Sequence, residues 1–403
     1  MTIRQMGGLG SSWVSPNHIN FTNPASLTHL TSTAYEVGVS ATRATLDDGI
    51  NPTEQWGGKF NYIGIAFPLF NPINDVYEDR KREIKYGMGF NLSRRNTVGY
   101  NITSVDSTEE LGVFTRNYNG SGGTYEFNWS NAVSYKEFSF GLTLGYLFGN
   151  ATYNRSIVFN QKEFPFNDEF TDSYFVRGFT YNLGFIYQKV LGDVEEVGID
   201  KLKKITIGVR FSNGNRFTAI GDETALAIQR LSAGLLIRDT ISIASDIRGK
   251  GFLPGTLGIG ANYKLGSKFG IGLELNTAAW SRYYHELKGD VKDELRNSLY
   301  VSLGGFYRPD YKSYNNYLKR ISYMYGAFYE QDPRRVNGVD VNAYGFRLGL
   351  ELPFSYQRRG SSATLGVEFG NRGSGTIIEE NYLNINFGFT FNDGEWFIKR
   401  KYN

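Results

Sequence analysis

The chain has no cysteine and only three histidines, His18, His29 and His285, in 403 residues. The first absence excludes disulfides and thiolate metal sites. The second leaves no metal-ligand pair at helical spacing, and His285-Glu286 lacks the second histidine of a zinc-protease motif. A Gly-x-Ser-x-Gly nucleophile turn is also missing, which removes the commonest signature of a serine hydrolase. Long apolar runs are lacking too. None approaches the roughly 18 residues a spanning helix needs, and the mean hydropathy is −0.36. Charge of one sign is not in excess: 43 basic against 40 acidic residues leave a net +3. That balance gives no electrostatic case for nucleic acid, which needs a concentrated basic face. The opening residues, Met1 to Gly10, have no charged region followed by an apolar core. They read as the interior of a longer N-terminus.

What is abundant is glycine (48), phenylalanine (30) and tyrosine (28), arranged with a period of two. In Tyr382–Phe391, Leu383, Ile385, Phe387, Phe389 and Phe391 fall on one face of an extended chain. Asn384, Asn386, Gly388 and Thr390 fall on the other, because successive strand side chains alternate. Phe138–Phe148 repeats the pattern, with Ser139, Gly141, Thr143 and Gly145 opposite the aromatic and aliphatic face. It recurs in Phe269–Leu275, Ile205–Phe211, Tyr344–Leu352 and Leu365–Phe369. A sheet that is apolar on one whole side and polar on the other fits a transmembrane β-barrel, where only every second residue meets lipid. A soluble sandwich or propeller also alternates, but its outer face is less uniformly apolar.

About fourteen such strands are legible, beginning at residue 33 and ending at 391, an even number of the kind that closes an antiparallel barrel. Short links at 136–137 and 266–267 suit periplasmic turns, as does 353–360. The stretches 105–121, 150–172, 218–254, 281–294 and 372–378 are predicted to be external loops. Within 218–254, Leu226–Ile237 reads equally as a strand extension or a short helix. Two periplasmic links, 71–82 and 190–202, are longer than the rule prefers. Trp56, Trp129, Trp280 and many tyrosines fall near predicted strand ends, where aromatic rings suit the membrane interface. Small residues facing the lumen let a curved sheet close.

Glu36, Arg210, Glu274, Arg347, Glu351 and Glu368 are the polar residues predicted to face inward. They suit a polar passage or an anchor for a plug, although barrels of this size also fill their lumens with paired charges. The run Gly7-Gly8-Leu9-Gly10-Ser11-Ser12 lacks the Lys-Ser/Thr ending and the strand-helix context of a phosphate loop, and reads as plug backbone. Pro24 fixes its own backbone and biases Asn23 toward an extended shape, as a rigid turn between plug and wall requires. Asp168, Glu169 and Asp172 offer a weak calcium signal in a predicted loop. No cofactor, metal or catalytic residue is expected.

Three stretches carry a family resemblance: Met6-Gly7-Gly8 leading to Asn23-Pro24-Ala25-Ser26, Leu253 to Gly260 running on to Ala279-Trp280-Ser281, and Tyr344 to Phe391. Through them the chain resembles outer-membrane hydrophobic-compound transporters of the long-chain fatty-acid (FadL-like) type. The resemblance implies an all-β, fourteen-stranded barrel in a bacterial outer membrane, with residues 1–32 as a hatch, 33–391 as the barrel and 392–403 as a basic periplasmic tail. It assigns plug or gating roles to Asn23, Pro24 and Ala25, and implies passive uptake of hydrophobic or amphipathic small molecules. The expected partners are membrane lipid, a hydrophobic ligand and other outer-membrane proteins. The tail, with Trp396-Phe397 and Lys399-Arg400-Lys401, departs from barrels that end on a terminal aromatic. It is similar to a subgroup of which some serve secretion or assembly machines, so an accessory subunit of such a complex is the alternative.

Overall fold

A computed structural model describes residues 1–47, 49, 52–79, 82–109, 112–159, 166–192, 202–230, 236–288, 295–336, 338–356, 359–375 and 379–396. Seventeen strands form one antiparallel sheet that closes on itself where β1 (Thr33–Asp47) pairs with β17 (Glu379–Asp393). Fourteen of them make the wall. Around the ring these are β1, β2 (Thr53–Pro68), β3 (Ile84–Thr108), β4 (Gly112–Tyr135), β5 (Phe138–Phe159), β6 (Asn167–Leu191) and β7 (Lys203–Ser212). The ring continues with β10 (Thr256–Leu265), β11 (Phe269–Ala278), β13 (Ser298–Tyr307), β14 (Ser322–Val336), β15 (Val339–Tyr356), β16 (Arg359–Arg372) and β17. The wall count and the strand positions agree with the alternation in the sequence.

The outer surface follows from that alternation. Phe140, Leu142 and Leu144 of β5, Ile205 and Ile207 of β7, and Phe387 and Phe389 of β17 are all exposed, and Phe346 of β15 is 66% exposed. An apolar belt of this extent is stable only against lipid tails. Inward positions are small or polar: Ser130, Thr206 and Asn386 are fully buried.

The wall is lopsided, and here the expected external loops are corrected. β3 and β6 each run 25 residues, whereas β7, β10, β11 and β13 have 10. About ten residues cross a bilayer, so 25 residues at ~3.3 Å each carry the sheet far beyond it. Most of 105–121 and 150–172 is therefore strand, paired across β3–β4 and β5–β6. The 218–254 stretch lies largely in a hairpin of β8 (Asn215–Arg230) and β9 (Leu236–Leu253), with β8 paired to the far half of β6. Residues 231–235 lie outside the described residues. The extensions had no legible signature because the strict apolar outer face ends where they leave the lipid, although Phe114, Tyr174 and Phe217 in them remain buried.

β7 and β8 are one rising strand interrupted at Asn213-Gly214, and β9 and β10 one descending strand interrupted at Pro254-Gly255. Proline cannot donate to a ladder, and the ring of Phe252 occupies the space a side chain at Gly214 would need. Above β11 the chain leaves the wall, turns at Trp280–Arg282 and adds a two-residue strand, β12 (Tyr284–His285), to β9. Trp129 sits on the outer face within β4 rather than at its end. The 71–82 link contains a short helix, Pro72–Tyr77.

Candidate functional site: the N-terminal segment in the lumen

Residues 1–32 lie inside the barrel, and the inner wall is shaped to their backbone. Every wall strand except β4 places a glycine against this segment, at a point where a β-carbon would collide with it or crowd it. Gly208 of β7 faces the Ser11 carbonyl, Gly141 of β5 the Ala25 amide, Gly304 of β13 the Met6 carbonyl, and Gly87 of β3 the Leu27 carbonyl. Gly349 and Gly366 enclose the fully buried Gln5 side chain. On β4, Ala132 takes the equivalent place, packed with Leu27, Ile19 and Leu30. A second apolar cluster joins Met6, Leu9 and Trp13 to Phe306 and Met324 of the wall. The lumenal glycines thus have a use beyond curvature: they are seats for the segment.

Polar contacts lock the same path. Asn23, fully buried, caps a 3-10 turn (Pro24–His29), its Oδ1 accepting from the Ala25 amide at 3.1 Å. Its φ of −119° and ψ of 105° are the extended values Pro24 imposes. Its Nδ2 donates to Ser11 O at 2.6 Å and to Phe185 O and Val209 O on the wall at 3.2 and 3.3 Å. Pro24 and Ala25 are buried against Gly141 and Gly184.

The six inward residues named from sequence lie on the lumenal face; four bond the segment directly, and Arg347 reaches it through Tyr300. Glu274, 1% exposed, accepts from the Ser11 amide with both oxygens at 3.0 Å and from Ser11 Oγ at 2.5 Å. Glu36 accepts from the Ile19 amide at 2.8 Å. Glu368 binds Arg4 at 3.2 Å and Arg347 at 2.9 Å, and Arg347 also donates to Tyr300, whose hydroxyl donates to Gly7 O at 2.7 Å. Glu351 meets His18 Nε2 at 2.7 Å. Arg210 instead donates to Asn276 at 2.7 Å.

Sequence reasoning missed the segment's own charged partners, Arg4 and His18, because neither stands in a motif and only folding brings them to carboxylates hundreds of residues away. His18 has Glu351 on one ring nitrogen and Glu36 3.5 Å from the other. Burial works against its charge, but Glu351 and then Glu36 outweigh it and raise the imidazole to about 9. His29 has the opposite fate: burial first, then Lys85, Lys264 and Lys204, lower it to about 3.

Two cavities flank the segment. One of about 490 Å³ lies toward the long strands, lined by Arg4, Arg95, Glu126, Asn182 and Arg210. The other, about 460 Å³, lies toward the short turns, lined by Trp13, His18, Lys85, Lys204, Lys264 and Arg308. Asp168, Glu169 and Asp172 lie in β6, not in a loop, and Asp172 pairs with Arg155 at 3.3 Å. Among the described residues no acidic or histidine cluster suits a metal.

The model of the BamG family matches residues 1–403, the whole chain. The protein belongs to the BamG family. Among solved structures, this BamG-family barrel is similar to a FadL homologue of Pseudomonas aeruginosa, with a TM-score of 0.58 and 10% identity over 96% of each chain. It is also similar to the toluene transporter TodX of Pseudomonas putida (TM-score 0.54, 13% identity, 98% of this chain and 97% of that one). A third is the toluene transporter TbuX of Ralstonia pickettii (TM-score 0.54, 11% identity, 97% of each chain). Curated proteins yield no match. The FadL-like fold and the bacterial outer-membrane location thus stand as the sequence implied. Two of these three structural relatives are named as toluene transporters.

Proposed function

We propose that the protein is a plugged, non-enzymatic barrel subunit of an outer-membrane secretion or assembly complex, with residues 1–32 as the plug, 33–391 as the barrel and 392–403 as a periplasmic tail. The observation that carries this reading is the character of the lumen. The cavity toward the long strands sets arginines, asparagines and Glu126 beside Ile3, Ile19 and Phe21, and the other sets lysines, Arg308 and Glu351 beside Trp13, Phe306 and Met324, a mixed lining, whereas hydrophobic-ligand sites are mostly apolar. Membership of the BamG family also points to outer-membrane protein partners. The exposed strand extensions supply surface for them. The basic residues of the tail, Lys399-Arg400-Lys401, lie outside the described residues and support it by sequence alone.

Uptake of hydrophobic or amphipathic compounds is the second reading. It is favoured by a fold shared end to end with toluene transporters. On it, Asn23, Pro24 and Ala25 form the hinge of a gate whose opening lets cargo past Glu36, Glu274 and Glu368. Purification in mild detergent separates the two. Stoichiometric protein partners support the subunit. Fatty acid or lipid in the lumen of a solitary barrel, together with uptake lost on deleting residues 1–25, supports transport and overturns the subunit.

A further inference from the structure

We infer that the cavity on the short-turn side of the N-terminal segment is a binding site for a small multivalent oxyanion, of phosphate or carboxylate chemistry. Lys85, Lys204 and Lys264 occupy inward positions of β3, β7 and β10, on the same face as Gly87, Thr206 and Asn262 two residues away. The strand period therefore sends three ammonium groups from three wall strands to one cavity, which Arg308 also lines.

No carboxylate among the described lining residues is free to pair with them. Glu351 is the one carboxylate among its described lining residues. Its oxygens are already engaged by His18 at 2.7 Å, Ser322 Oγ at 2.9 Å and Arg308 at 3.1 Å. Among the described residues none of the three lysines has a carboxylate partner. Lys264 makes do with the Val14 carbonyl and the face of Trp13, 3.4 Å from its ring centre. Like charges gathered in one cavity repel, and a bound anion relieves that repulsion.

Trp13 is 6% exposed and lines the cavity with its ring face against Lys264, so its emission reports on the site. His29, which lines the cavity from the N-terminal segment, is held neutral by burial and by the field of these same three lysines. A cavity lined by Lys85, Lys204, Lys264 and Arg308 selects a ligand with more than one negative charge, and about 460 Å³ admits one the size of pyrophosphate or citrate.

The test uses the full chain, purified in a zwitterionic detergent. Trp56, Trp129, Trp280 and Trp396 are replaced by Phe, so that Trp13 alone reports. Titration with pyrophosphate, and separately with citrate, is expected to give a saturable change in Trp13 emission and one-to-one binding by calorimetry. The double variant Lys85→Gln, Lys204→Gln is expected to weaken binding at least tenfold, while Lys268→Gln, on the turn outside the cavity, leaves it unchanged. Retained heat-modifiable migration shows that each variant is folded. Nanodiscs distinguish the sources of the anion. If a lipid headgroup fills the site, pyrophosphate competes poorly in phosphatidylglycerol and well in phosphatidylcholine. Equal affinity in both marks a free solute. Absence of saturable binding in phosphatidylcholine, or binding untouched by the double variant, overturns the proposal.

Discussion

His18 Nε2 lies 2.7 Å from the carboxylate of Glu351, and its other ring nitrogen lies 3.5 Å from Glu36. One imidazole of the N-terminal segment thus bridges acids on β15 and β1, strands separated around the ring by β16 and β17. The bridge is made when His18 carries its proton.

The sign of its pH dependence follows. The folded value of about 9 exceeds the ordinary 6.5. The stabilisation is therefore complete below about 6.5, declines as pH rises from there, and is lost above about 9, with a ceiling of about 3 kcal/mol. His18→Gln should unfold at nearly the same temperature at pH 6.5 and 9.5, whereas the parent loses stability across that interval. A parallel decline in both proteins would sink the assignment.

Gly208 faces the Ser11 carbonyl with no room for a β-carbon. Gly208→Leu is expected to expel or shift the segment while the barrel still folds. Planar-bilayer conductance should rise and protease should cut near Ser11. Gly57→Ala, at a glycine with open space around it, serves as the neutral comparison.

Asn23 combines a helix cap with three donated hydrogen bonds. Asn23→Ala should cost about 1–2 kcal/mol from the cap and more from the orphaned carbonyls. Hydrogen exchange across residues 11–30 is the direct measure, and unchanged protection there would contradict a locking role.

Glu368 holds two guanidiniums, Arg4 and Arg347. Glu368→Gln leaves Arg347 buried without its counter-charge, for about 3–5 kcal/mol by the general behaviour of broken buried pairs. Replacing Arg347 with Met in addition should recover much of that loss. A double-mutant cycle on melting temperature reads the coupling, and simple additivity of the two changes would refute it.

On the outer face the cost has another origin. Leu142 is exposed toward lipid, and Leu142→Arg should destabilise insertion by about 2–4 kcal/mol if it lies near the midplane. The neighbouring Thr143, buried on the lumenal side, should tolerate Ser. Equal effects at both positions in a liposome-folding assay would overturn the facing of β5.

The sequence by itself determined the barrel, because a lipid-facing wall forces strict alternation and alternation is local. Runs such as Phe138–Phe148 and Leu383–Phe391 announced both their strands and their outer faces. It also determined that Glu36, Glu274, Arg347, Glu351 and Glu368 face inward, since inwardness follows from register with the apolar positions. Only the tertiary structure decided how high the strands rise, because β3 to β6 leave the membrane and lose their apolar face. It alone decided what the inward residues touch. Ser11 reaches Glu274, His18 reaches Glu351, and Lys85, Lys204 and Lys264 converge from three strands. Those encounters depend on ring closure and on the path of the N-terminal segment across the glycine seats, and no spacing along the chain encodes them.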